Sequence, residues 1–441
     1  MNHCTRQIYS LGLTQEAVYA GETSNIVPYH RMYGKAYCLP SVSLYTSEEI
    51  AELSFASKSM DAIFRKTLRF VQRYMPDHYL THQLGIPPSL LPLVREEIPL
   101  SGITRQDWIL GPQGLKIIEI NADTPTGIPE SAYLEGQIVQ KHTSWEGPSG
   151  NLANLLAEEL LGFTNYYKKS GLKPSVTFSC YDWHQEDRFN TFYLMEQLRR
   201  MGVTVHYAPL EELEIIPGKG LYHNGRQIDI WYRLYPLEYL TEDRDETSGI
   251  QVGIALLELV AQGKIGLINP AQNFIMQSKG FLATLWSLYE RNHQTFEYCG
   301  FTLFEPEELA MISTYCLPTY FTAEPFELKD IPYAAKSYWG REGKGTSLHG
   351  SEDPYSMKNN PELEEDEELI AYYNNQPKIY QQYWTMPLAQ VNTEKGTYNG
   401  HLLTGAFVVG GQFGGVLSRI GDKVTGDGAY YCPAAIIPAE Q

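Results

Sequence analysis

Two short stretches of the chain carry the residue types that metal and phosphate chemistry needs. In TRQDWILGPQGLKIIEINA (104–122), Gly111-Pro112-Gln113-Gly114 is a turn signal between two strand-like runs, so the segment reads as a β-hairpin. Side chains at i and i+2 of a strand share a face, which groups Arg105 with Asp107 and Glu119 with Asn121. A turn centred between residues 112 and 113 sets Asp107 roughly opposite Glu119 and Arg105 roughly opposite Asn121. Two carboxylates and an amide oxygen are hard ligands of the kind Mg²⁺ takes beside substrate phosphates. The same pattern also describes a cross-strand ion pair on a solvated face, and spacing alone does not choose between them.

The second stretch is Lys336 followed by SYW and GREGKGTS (340–347). Glycines 340, 343 and 345 free backbone N–H groups to approach phosphate oxygens, and Arg341 and Lys344 add positive charge. Thr346 stands where a Walker motif needs lysine, and the lysine comes instead four residues before the first glycine. That departs from a P-loop and suits a lid over a nucleotide; a plain surface loop is the other reading. Elsewhere the signals fail. His78 and His82 are four apart but follow Pro76 and lack the glutamate of a zinc protease. No cysteine sits beside a histidine motif and GxSxG is absent, which removes the thiol and serine hydrolases.

Composition narrows the class. The 441 residues suggest about three compact units at ~150 residues each. Lys plus Arg number 34 against 52 Asp plus Glu, a net charge of −18, so neither nucleic acid nor an anionic membrane is a natural partner for the whole surface. No run approaches the ~18 apolar residues of a membrane span, and MNHCTRQIYS has no apolar signal core. Six scattered cysteines without a CxxC pair argue against a disulfide framework and point to a reducing compartment, the cytoplasm.

The elements that must position these residues follow from periodicity. Residues 46–75 read as an amphipathic helix with a Thr46/Glu49 capping box, stopped by Pro76. A helix at 152–163 precedes a strand–helix–strand unit: SVTFSCY (175–181), RFNTFYLMEQLRRMG (188–202) and VTVHYA (203–208). Its crossover length fits a parallel βαβ unit of the doubly wound type. DIWYRLYP (229–236) and KIGLINP (264–270) add strands around a helix at 254–263. In the last third, strands at 331–338, 379–384 and 401–409 alternate with glycine-rich or acidic loops, and Gly410-Gly411 turns the third back into 412–420. The acidic run PELEEDEEL (361–369) reads as a solvated loop or helix face. The class is α/β in the middle and α+β at the end.

Six segments, in order, resemble the glutathionylspermidine synthase family of ATP-grasp ligases. They are TRQD with IIEINADTPTGIPESA (104–132), LYPLEYL (234–240), QSKGFLATLW (277–286), AAKSYWGREGKG (334–345), KIYQQYW (378–384) and FVVGGQFGGVLSR (407–419). They span about 320 residues; the first ~95 match weakly. The resemblance implies an ATP-grasp fold with a preceding doubly wound-like subdomain. It divides the chain into a helical and mixed region (1–100), a metal-binding hairpin (101–150), an α/β subdomain (151–275) and a nucleotide-binding part with a glycine-rich lid (276–441). The family's bifunctional members carry an amino-terminal amidase, and the residues before the hairpin leave no room for one.

Carried over position by position, the resemblance assigns Asp107, Glu119 and Asn121 to Mg²⁺ between the phosphates of ATP, and Lys279 and Lys336 to the phosphates themselves. Glu342 falls on a nucleotide-contacting lid position, and Gln381, Gln382, Tyr383 and Trp384 on the strand that binds adenine through its backbone. Arg105 and Arg419 match the arginines that stabilise the transferring phosphoryl and the tetrahedral species, and Thr124, Thr126 and Glu130 fall where the acid substrate binds. The implied reaction phosphorylates a carboxylate and lets an amine displace phosphate, with a peptide acid and a polyamine or other amine as substrates. A nucleotide-binding scaffold without ligase activity is the alternative, and a kinase using the same ATP site is a third reading. Two departures stand out: Asn269 replaces an acidic residue expected before Pro270, and the segment around Asp182 to Arg188 matches the polyamine-specific members poorly.

Overall fold

A computed structural model describes residues 5–32, 34–245, 247–350 and 367–438, so residues 361–366 of the acidic run lie outside the described residues. Its central feature is a seven-stranded sheet in which the hairpin Ile103–Gly111/Gly114–Asn121 joins strands from the other end of the chain. The long strand Gly396–Val409 organises it. One edge carries Gln412–Gly421, and the other is shared by Leu388–Thr393 and Ile103–Gly111. Gly410 and Gly411, both at positive φ, make the expected turn between the two longest strands.

One face of this sheet is dry. Helix Ser47–Tyr74 packs on it through Leu53, Met60 and Phe64, which share a buried cluster with Ala406, Val416 and Ile420. The predicted capping box is present: Thr46 Oγ1 accepts from the Glu49 N–H at 3.2 Å, and Glu49 Oε2 accepts from the Thr46 N–H at 2.9 Å. Met75 turns to extended backbone ahead of Pro76 and ends the helix. Arg105, Asp107, Glu119 and Leu403 fall on the opposite face of the sheet, which faces a cavity.

A second sheet has four parallel strands in the order Gly266–Ile268, Ile230–Arg233, Ser175–Ser179, Thr204–Tyr207, with Leu152–Lys169 and Gln185–Arg200 among its helices. The βαβ reading holds, with shifted bounds. The helix starts at Gln185 rather than Arg188, capped by His184, because Glu186 and Asp187 in its first turn suit the positive end of the helix. The strand stops at Ser179, which releases Tyr181 into the cavity. A third sheet, antiparallel, runs Thr319–Tyr320, Lys378–Gln382, Tyr333–Ser337, Thr346–His349, and residues 340–345 bridge its last two strands.

Asn269, the departure before Pro270, ties the first two sheets together. It is 2% exposed; its Nδ2 donates to the carbonyls of Ile103, Ala122 and Asp123 and its Oδ1 accepts from the Ile103 N–H. A carboxylate there has no protons to donate, so the amide suits this junction better. A three-stranded antiparallel sheet at Glu214–Ile216, Gly220–His223 and Arg226–Ile228 was not foreseen from the sequence.

Candidate functional site

The hairpin brings its polar residues together through a β-bulge. From the turn, Gly111 pairs with Gly114 and Trp108 with Ile117, a register that would set Ile118 opposite Asp107. The ladder shifts by one residue at that point, so Asp107 pairs with Glu119 and Arg105 with Asn121. The extra residue, Ile118, offers its carbonyl to Lys336 Nζ at 3.0 Å. The bulge therefore places Glu119 on the cavity face and supplies a ligand for the neighbouring lysine.

Asp107 is the hub. Arg105 Nε donates to Oδ1 at 2.9 Å, and Oδ2 accepts from Arg105 Nη2 at 3.2 Å, Arg419 Nη2 at 2.9 Å and Asn121 Nδ2 at 3.4 Å. Burial alone would raise its carboxyl pKa, but Arg105 and then Arg419 outweigh that and hold it below the usual range. Room for this cluster comes from Gly405 on the next strand, where a Cβ would lie 2.9 Å from Arg105 Cδ and 3.2 Å from Asp107 Oδ1. Among the described residues Arg419 Nε is buried without a hydrogen-bond partner, a donor left over for a ligand.

Both lysines converge on the same space. Lys279 Nζ donates to Glu119 Oε1 at 2.9 Å and to the Gly340 carbonyl at 2.5 Å. Lys336 Nζ also bonds Gln381 Oε1 at 2.7 Å. Burial pushes the Lys336 ammonium down to about 8; nearby Lys279 adds to this, and Glu119 opposes it. Across residues 340–345, Lys344 Nζ bridges Glu342 Oε2 and Asp427 Oδ2, each at 2.9 Å. Burial acts against the Glu342 charge, yet its hydrogen bond with Asp427 and the Lys344 cation bring it to about 2. Asp427 moves the other way, to about 7, through burial and the adjacent Glu342.

These side chains line one cavity of about 480 Å³ between the three sheets. At one end Ile109, Ile118, Met386 and Leu403 form an apolar slot beside Gln381, Gln382, Tyr383 and Trp384. The Gln382 and Tyr383 N–H groups already donate to Pro318 and Pro332. In the middle stand Arg105, Arg419, Lys279 and Lys336. At the other end Thr124 and Thr126 face Tyr181, His184, Glu186, Asp187 and Tyr235 at the carboxyl ends of the parallel strands, where open α/β sheets take their ligands.

Of the residues to which the family resemblance assigns a role, Glu130 alone does not line this cavity. It is 0% exposed beneath Tyr37, whose hydroxyl donates to its Oε1 at 3.0 Å, and burial raises its pKa. Glu186, burdened by burial and by Glu130, rises to about 8. Sequence reasoning did not single out Glu238, which holds Arg341, or Asp427, which holds Lys344. Glu238 lies in LYPLEYL, a matched segment, but nothing in its spacing shows a partner on the lid.

The donor set fits a magnesium nucleotide. Asp107, Glu119 and Asn121 offer two carboxylates and an amide, the sparse set that Mg²⁺ accepts when phosphates and water fill its other positions. Four cations beside them match the charge of a triphosphate, and the orphan Arg419 donor points the same way.

Comparison with known proteins shows which family the chain belongs to. A Haemophilus influenzae protein provisionally named an acid–amine ligase is 26% identical over 342 residues, covering 76% of this chain and 74% of that protein. The bifunctional glutathionylspermidine synthetase/amidase of Escherichia coli is 23% identical over 423 residues, 91% of this chain but 58% of its own length. A solved structure from Methylobacillus flagellatus, provisionally named a gamma-glutamylcysteine synthetase, covers 86% of both chains at 10% identity with a TM-score of 0.40. The model of the family described as glutathionylspermidine synthase preATP-grasp matches residues 22–437, nearly the full length, and the chain belongs to that family.

Proposed function

We propose that this protein is an ATP-dependent carboxylate–amine ligase, similar to glutathionylspermidine synthase, that joins a peptide acid to a polyamine or other amine through an acyl phosphate. The observation that carries the reading is the set of Arg105, Arg419, Lys279 and Lys336 around Asp107, Glu119 and Asn121 in one cavity. Binding ATP alone does not call for two arginines crossing on one carboxylate. Phosphoryl transfer followed by collapse of a tetrahedral species does, because both steps develop negative charge that fixed donors stabilise.

Adenine fits the apolar slot beside Gln381–Trp384, and the phosphates extend over Lys336 and Lys279. Mg²⁺, held by Asp107, Glu119 and Asn121, neutralises phosphate charge when bound. As ligands enter, the cations that now neutralise Asp107 and Glu119 turn to phosphate oxygens. The acid sits by Thr124 and Thr126 with its carboxylate toward the γ-phosphate. The oxygen of that carboxylate takes the phosphoryl group, with ADP leaving; the amine nitrogen then bonds the acyl carbon as phosphate departs. Arg105 and Arg419 stay beside the reacting oxygens throughout. Residues 340–345 cover the acyl phosphate from water.

The test is ADP formation from Mg-ATP against a panel of small peptides and amines, with mass spectrometry of products. ADP that requires both an acid and an amine, with a condensed product, is the expected result. A phosphorylated acid that accumulates without need of an amine would make the protein a kinase, and tight ATP binding without turnover across the panel would favour a scaffold.

A further inference from the structure

Glu238 lies outside the cavity wall yet fixes a residue within it. It belongs to the short helix Leu237–Leu240 at the end of the parallel sheet, and its side chain is 6% exposed. Its Oε1 accepts from Arg341 Nε at 3.0 Å and Nη2 at 2.6 Å. The remaining arm, Arg341 Nη1, reaches Thr124 Oγ1 at 3.3 Å, and the guanidinium sits 5.8 Å from the Tyr239 ring centre. Among the described residues Glu238 Oε2 is buried without a hydrogen-bond partner, and the hydrogen bonds of this carboxylate go to Arg341. The contact spans 103 residues and joins the glycine-rich segment to the α/β subdomain.

The two ends of that segment are fastened differently. At one, Lys344 bonds Asp427 outside the segment and Glu342 within it. Among the described residues Arg341 has a single carboxylate partner, and without it the side chain keeps the neutral, longer bond to Thr124 and the ring contact. Freeing Arg341 therefore loosens the cover on the side that faces Thr124, while the Lys344–Asp427 contact stays.

We propose that Glu238 is a positioning residue: by clasping Arg341 it aims that guanidinium at the acid beside Thr124 and keeps the cover shut, so that the activated acyl group passes to the amine and not to water. The inference rests on the ligase reading above. In the productive step nitrogen bonds the acyl carbon, the C–O bond to phosphate breaks with its electron pair leaving on phosphate, and the nitrogen gives up a proton. In the wasteful step the oxygen of water takes the place of nitrogen, and the acid is regenerated.

Glu238→Gln in the full chain tests this with two readouts. Hydrogen exchange at residues 340–345 is expected to speed up by about tenfold as the cover opens, and phosphate released per amide formed is expected to rise from near one to roughly threefold or more. Affinity for Mg-ATP should stay within about twofold, because Glu238 is remote from the nucleotide end. Wild-type exchange, or a wild-type ratio of phosphate to amide, would overturn the proposal. If Glu238→Gln does not fold, Glu238→Asp serves: the buried charge stays, but a carboxylate one methylene shorter draws back from Arg341 Nε and Nη2, so the same two changes are expected and wild-type values contradict them. Absence of acid- and amine-dependent ADP formation in the unaltered protein would overturn the ligase reading, and the coupling role with it. Exchange would still report on the clasp by itself.

Discussion

The two ends of the cavity handle charge in opposite ways. At the nucleotide end each carboxylate already has cations: Asp107 has Arg105 and Arg419, and Glu119 has Lys279. At the acceptor end carboxyl groups face one another; burial and Glu130 raise Glu186, while burial and Glu342 raise Asp427. The first arrangement holds more cations than carboxylates, and on the proposed reading it works by exchanging partners, the carboxylates turning to a metal ion and the cations to phosphate oxygens. In the second, Lys344 already serves Glu342 and Asp427, whereas Glu186 stands among the carboxylates of Glu130, Asp187 and Glu342, a repulsion that an ammonium group would relieve. On the proposed reading, one end of the cavity takes a triphosphate and the other a cation.

Substitutions can break that division, beginning with the largest effect. Glu119→Gln should lower Mg²⁺-dependent ATP turnover by ~10³-fold, while the fold, followed by circular dichroism, stays intact because Glu119 is 26% exposed. Asp107→Asn is the less clean probe: a fully buried carboxylate between two arginines costs about 3–5 kcal/mol when its charge is removed. Turnover unchanged in Glu119→Gln with Asp107→Asn combined would remove the metal assignment. Arg419→Ala should cut kcat by ~10²–10³-fold with little change in ATP affinity, as expected of a donor that acts mainly on the transition state.

Lys336 gives the pH signature. Its ammonium, ordinarily at 10.5, titrates at about 8 when buried, and only the charged form attracts phosphate. Nucleotide affinity should therefore be full below pH 8 and fall above it, by up to ~10-fold per pH unit. Between about 8 and 10.5 the unfolded chain holds the extra proton, so this group costs stability below pH 8 and the cost is relieved as pH rises through that window. Lys336→Arg should flatten the affinity profile, and Lys336→Ala should weaken nucleotide binding roughly 10- to 100-fold. Isothermal titration across pH 6.5–9.5 checks all three.

The smallest effects sharpen the acceptor end. Thr124→Ala should raise KM for the acid about tenfold by removing a hydroxyl next to Arg341. Glu130→Gln should change it by less than about threefold, since Glu130 lies buried beneath Tyr37 and off the cavity wall. A large effect at Glu130 with none at Thr124 would invert the proposed acid site.

Much of this was legible in the sequence, for identifiable reasons. The hairpin announces itself through Gly111-Pro112-Gln113-Gly114 and strand patterning, and the parallel unit through the lengths between strands. The bulge at Ile118 was not legible, because an extra isoleucine in IIEIN has no pattern of its own; without the bulge Glu119 falls on the wrong face. The partners of the lid were hidden for another reason. Arg341 and Glu238 are 103 residues apart, and Lys344 and Asp427 are 83 apart, so only the closed fold pairs them. Glu130 shows the converse: its place among substrate residues was read from a motif, while its burial depends on Tyr37 and Tyr431 from distant segments.

The central claim is that the acid is activated by phosphorylation before the amine attacks. Its most direct test uses an acid substrate labelled with ¹⁸O in the carboxylate, turned over with Mg-ATP and an amine, with the released phosphate analysed by mass spectrometry. The account predicts that each phosphate carries one ¹⁸O from the acid, because the oxygen that accepted the phosphoryl group leaves with it. Unlabelled phosphate accompanying formation of the amide would contradict the acyl-phosphate route.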